Sequence, residues 1–123
     1  MDIKPSEVRV DPAKNRLYLL LRGFWSEEMA AAVSARVKQQ AKALKPGFSI
    51  INDISQLKIG PPGAAAIVKE CQEWLGAQGA GRVVRIVADD NPLAKIQFKR
   101  TSQEVYEANM ATTVQEAEQM LGG

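Results

Sequence analysis

The residues best able to do chemistry cluster in one stretch. Asp53 and Ser55 close a β-rich run, Phe48-Ser49-Ile50-Ile51-Asn52-Asp53-Ile54. Ligands of open α/β sheets gather at the carboxyl ends of central strands, so both residues are candidates for binding. Their other use is local: an aspartate and a serine two apart satisfy loop amides by Asx and Ser turns. Lys58 and the elbow Gly60-Pro61-Pro62-Gly63 follow. A helix beginning there would offer free amides to an anion, but two prolines remove two of those donors. A rigid helix start, or a stiff loop shown to a partner, is the better reading.

Other constellations are excluded or weak. The chain has no histidine, so Ser-His-Asp and Cys-His centres and histidine-held metals are out. A single cysteine, Cys71, permits no internal disulfide and no Cys-rich zinc site. It falls on an apolar helix stripe, where a small buried thiol is expected rather than a nucleophile. Asp89-Asp90 supplies too few oxygens for a dedicated cation site and reads as a helix start. Gly76 to Gly81 superficially matches a dinucleotide loop but follows a helix rather than a strand. No metal and no cofactor is expected, and no catalytic residue is assigned.

The 123 residues carry a net charge of +2 and are 46% hydrophobic, the profile of one globular domain, 1–123. Alternation predicts a strand at 7–10, turn chemistry at Asp11-Pro12-Ala13-Lys14-Asn15, and a second strand over 16–22. Ser26 is an N-cap with Glu27 and Glu28 behind it. Met29, Val33, Val37, Ala41 and Leu44 give a helix over 27–44 that Pro46-Gly47 stops. A central strand covers 48–54 and a loop 55–61. Pro62 opens a second helix whose stripe is Ile67, Cys71, Trp74 and Leu75, with Lys69, Glu70, Gln72 and Glu73 opposite. A strand over 82–88, a helix over 93–102, an edge strand over 105–111 and a capping box at Thr113 to Glu116 before a last short helix complete the chain.

The order is ββαβαβαβα. It predicts an α/β fold: a mixed, mostly parallel five-stranded sheet with an N-terminal β-hairpin and helices mainly on one face. If strand order follows the chain, right-handed crossovers put every crossover helix on one side. Leu17, Leu19, Leu21, Phe48, Ile50, Val84 and Ile86 are then expected to face those helices. Tyr18, Leu20, Arg22, Ser49, Ile51, Asp53, Val83, Arg85 and Val87 are expected on the other side, half apolar and open to a partner or a second copy.

This order, with the segment 48–67, resembles the STAS domain family, the fold of bacterial anti-sigma-factor antagonists and sulfate-transporter tails. Asp53-Ile54-Ser55 matches the motif that ends the family's central strand. The next family motif is hydrophobic-Asp-Ser-Ser-Gly, whose serine a partner kinase phosphorylates. Here Ile59-Gly60-Pro61-Pro62-Gly63 stands in its place. Proline has no hydroxyl, so the switch is missing. The segments 45–55 and 112–121 are similar to those of STAS-like proteins that keep the fold without the switch. The resemblance implies a non-enzymatic module that binds a partner protein or itself, as a homodimer, through the loop 56–63 and the open face around Leu20, Ile51 and Val87.

The alternative is a carrier or sensor of a small apolar or lipid-like ligand, held near Trp25, Phe98 and Asp53, since fold relatives transfer lipids. Trp25 is expected to be exposed at a pocket mouth. Lys95, Lys99 and Arg100 around Phe98 would suit a membrane surface, but a helix docked on its own sheet shows the same pattern and is preferred. Lys38, Lys42 and Lys45 read as a solvated face. Nucleic acid is not expected as a partner, because the cations are not interleaved with stacking aromatics. No apolar stretch follows Met1 and none approaches about 20 residues, so the expected compartment is the cytoplasm.

Overall fold

The alternating residues of the N-terminus pair as a hairpin: β1 (Glu7–Asp11) runs antiparallel to β2 (Arg16–Trp25). Asn15 holds the turn at φ 52°, the left-handed conformation that asparagine tolerates. Its side chain also bonds both Lys45 backbone groups, tying the hairpin tip to the chain before the third strand. The structure, a computed structural model, describes residues 3–87 and 108–122.

Ser26 accepts the Met29 amide at 3.2 Å and starts α1 (Glu27–Ala41), which ends three residues short of the predicted 44. β3 (Ser49–Ile59) follows, then α2 (Pro62–Ala77), β4 (Val83–Ile86), β5 (Ala108–Ala111) and α3 (Val114–Met120). Thr113 Oγ1 accepts the Glu116 amide, and the Glu116 carboxylate accepts from both the amide and hydroxyl of Thr112, so the predicted capping box forms one residue wider. The helix expected over 93–102 lies outside the described residues, as do Asp89-Asp90 and the first half of the last predicted strand.

The five strands stand in chain order, β1-β2-β3-β4-β5, with every pair after the hairpin parallel. The fold class is therefore the predicted one. α1 and α2 bury Val33, Val37, Val68 and Leu75 against Leu17, Leu19, Leu21, Phe48, Ile50 and Val83.

Two expectations about the faces are corrected. First, β4 is turned by one residue: Val83 and Val87 join the α1–α2 core, while Val84 and Ile86 point the other way. A side-chain period of two makes this a complete exchange of faces. Second, the other face is not open. α3 lies across it, and Ala117 packs with Tyr18, Ile51, Val84, Ile86 and Ala111. Crossover handedness places α1 and α2, but it says nothing about a helix that follows the last strand. The expected contact patch around Leu20, Ile51 and Val87 dissolves: Ile51 lies under α3, Val87 in the main core, and only Leu20 is half-exposed.

Candidate binding site

The predicted loop 55–61 is mostly strand. β3 continues to Ile59 and pairs with β2 as far as Trp25, whereas β4 pairs only with Ile50 to Asp53. β2 and β3 thus run on together as a two-stranded ribbon. A register shift opposite Leu20 and Arg22 inserts one extra residue into β3. That bulge keeps Ile54 and Leu57 both in the core although they are three apart.

Asp53 and Ser55 sit at the bulge. Asp53 Oδ1 accepts the Ser55 amide at 3.0 Å and the Ser55 hydroxyl at 2.6 Å. The carboxylate holds the irregular backbone, which is the local use the sequence allows. Pro62 is the first residue of α2, with Pro61 before it as an extended N-cap that offers no side-chain bond. The double proline makes a stiff corner there.

Phe24 is the outlier. It is 69% exposed and stands opposite Lys58, also exposed, in the β2–β3 register. Its ring rests on Gly60, where a side chain would collide with it. Glycine at 60 leaves room for the far edge of the ring beside the elbow. Trp25, expected to be the exposed one of the two tryptophans, is buried. Alternation explains the correction: Trp25 points inward, 2% exposed, and donates its indole N–H to the Arg22 carbonyl at 3.2 Å.

Trp25 borders a cavity of about 40 Å³ between α1, α2 and the sheet. Leu19, Leu21, Ala30, Val33, Val37, Val68 and Leu75 wall it, and Ser34, Asn52, Cys71 and Gln72 give it polar groups. Asn52 is 3% and Gln72 4% exposed; among the described residues Asn52 Oδ1 and both terminal atoms of the Gln72 amide have no hydrogen-bond partner. Burial pushes the Cys71 thiol above its ordinary range, with Ser34 and Lys38 pulling more weakly the other way.

The predicted site residues therefore separate. Lys58, Gly60, Pro61, Pro62 and Gly63 come together at the ribbon end with Phe24. Trp25 lines the cavity, Asp53 does not, and Phe98 lies outside the described residues. Sequence reading missed Asn52 and Gln72. A stripe of Ile67, Cys71, Trp74 and Leu75 puts Gln72 on the solvent side; Cys71 and Leu75 are buried, but Ile67 and Trp74 are only partly so. The buried row is Ala64, Val68, Cys71 and Leu75, which places residue 72 on the inner edge. Asn52 was detectable: it shares strand parity with Ile50 and Ile54, so it had to face the helices.

Among the described residues no group of acidic or cysteine side chains could hold a metal ion, and no helix is long and apolar enough to cross a membrane. No protein-family model matches the chain, and no curated protein matches it.

Proposed function

We propose that this chain is a non-enzymatic, STAS-like interaction module that binds a partner protein through the end of the β2–β3 ribbon. The observation that carries the reading is Phe24: a large apolar ring, 69% exposed, mounted on Gly60 beside the Pro61-Pro62 corner. Lone exposed apolar residues are common, but aromatic anchors on rigid supports are what interfaces use. The support here is stiff: paired strands on one side, a double proline on the other. Lys58 beside the ring and the Glu27 carboxylate against Gly63 put both signs of charge at the elbow, so the complementary surface is an apolar pocket with a polar rim. Proline at 61 and 62 removes the hydroxyl that would let a kinase switch this surface, so binding is constitutive. The cytoplasm is the compartment that fits a lone buried thiol and the absence of any disulfide.

A photo-crosslinking amino acid at position 24, with a second at Lys42 on the far side as control, tests the reading in cells. A protein captured from position 24 only, and bound in purified form at least tenfold more weakly by Phe24→Ala, is the expected result. Equal capture from both positions, or an affinity indifferent to Phe24→Ala, overturns it. Light scattering of the purified chain shows whether the captured partner is a second copy.

A further inference from the structure

The cavity between α1, α2 and the sheet is separate from the exposed Phe24 surface, although Trp25, the next residue, borders it. Three features define what it would accept. Its walls are mostly aliphatic, with Trp25, Ser34 and Cys71 among them. None of its described lining residues carries a formal charge. And it contains two amide side chains, Asn52 and Gln72, each more than nine-tenths buried, with three unpartnered polar atoms between them. A buried amide without partners is expensive, and native proteins rarely leave one so. Removing it would be simple, since leucine fills the volume of either residue.

We propose that this cavity is a binding site for a short, neutral molecule with an aliphatic body and an amide or hydroxyl head. The head meets Asn52 and Gln72, which together offer both a donor and acceptors. The body lies against Val33, Val37, Val68 and Leu75. Neutrality follows from the wall: none of its described lining residues is charged, and Arg85, buried opposite Asn52 in the sheet register, already has an interaction of its own, so an ion would be desolvated without a countercharge. Size follows from the volume: about 40 Å³ is near three times the ~12 Å³ one water needs, so the occupant has a few heavy atoms. The rival occupant is ordered water, which commonly satisfies such groups.

The experiment titrates the ¹⁵N-labelled full chain with propionamide and with n-propanol, following the side-chain amide resonances of Asn52 and Gln72. Propionate and propylammonium are the charged controls. Saturable millimolar shifts with the neutral probes and none with the charged ones are expected. Gln72→Leu should weaken propionamide at least tenfold. Val33→Ile, which adds one methyl to the wall, gives a second variant should Gln72→Leu misfold, and should weaken both probes. Resonances unmoved by the neutral probes mean that the cavity holds water alone and overturn the proposal. So do equal shifts with charged probes, or undiminished binding in the folded variants.

Discussion

Arg16 Nη1 lies 2.5 Å from Glu118 Oε2, joining the first residue of β2 to α3 across 102 positions. The Arg16 side chain is almost fully covered, and its Nε also donates to Ser49 Oγ at 3.0 Å. Tyr18 donates its hydroxyl to the other Glu118 oxygen, and Lys14 Nζ stands 3.3 Å from Oε2. One carboxylate thus gathers three donors from the hairpin and holds α3 over the second face. A helix of seven residues does not persist alone in water, so this clamp and the apolar contacts beneath it decide whether that face is closed.

Replacing Glu118 with glutamine keeps the shape and removes the charge. The covered Arg16 guanidinium then lacks its counterion, a loss of about 1–3 kcal/mol. Urea denaturation should show this destabilisation. Binding of a hydrophobic dye before the main transition should reveal α3 lifting from Ile51 and Val84. An unchanged midpoint with no dye binding would mean that the clamp contributes nothing.

The same carboxylate sets an acid limit. Burial disfavours its charge, but the bonds from Tyr18 and Lys14 and the charges of Arg16 and Lys14 outweigh that and hold Glu118 below the ordinary glutamate range. A depressed folded pKa contributes stability that is complete above the unfolded value, near 4.5, and is lost as pH falls through the folded value. Tyr18 works in the opposite sense. Burial and its bond to Glu118 raise it above 10.0 against the pull of Arg16, so its contribution is complete below that and is lost as pH rises through the folded value. Thermal melts across pH should fall at both extremes, and Glu118→Gln should flatten the acid arm.

Cys71 should be nearly inert. Burial raises its thiol, and reagent can reach it only when α1 and α2 part. Ellman's reagent is expected to react on the timescale of opening, far slower than with the chain in denaturant. Fast stoichiometric labelling of the native protein would show the α1–α2 interface to be loose.

Ile51 distinguishes a covered face from an open one. Fully buried under α3, it should cost about 2–5 kcal/mol on truncation to alanine. Leu20, half-exposed on the neighbouring strand, should cost clearly less on the same change. Equal small costs in chemical denaturation would mean that α3 does not dock.

Short-range signals were the readable ones. Ser26 as N-cap, the Asp11-Pro12 turn with Asn15 at positive φ, Pro62 opening α2 and the Thr113 box each act within a few residues, and each is found. The Asp53–Ser55 bond was equally visible, because its partners are two apart. What misled was phase. In Val83-Val84-Arg85-Ile86 the one charged residue shares parity with Val83, so alternation sends Val84 and Ile86 to the main core; the sheet instead buries Arg85, 4% exposed, on the side of Val83 and Val87. Phe24 and Trp25 are adjacent aromatics of nearly equal character, and only the register against Lys58 and Ile59 sorts them.

The chain by itself determined most of the described elements, their order and the double proline at the elbow, since caps, turns and periodicity are encoded among near neighbours. Tertiary structure alone decided that α3 folds back over the second face, that β3 runs on to 59 and that Asn52 and Gln72 share one cavity. Those outcomes rest on pairs such as Arg16 and Glu118, distant in the chain. Packing selects them because each leaves fewer apolar atoms and charges without a partner than the alternatives do.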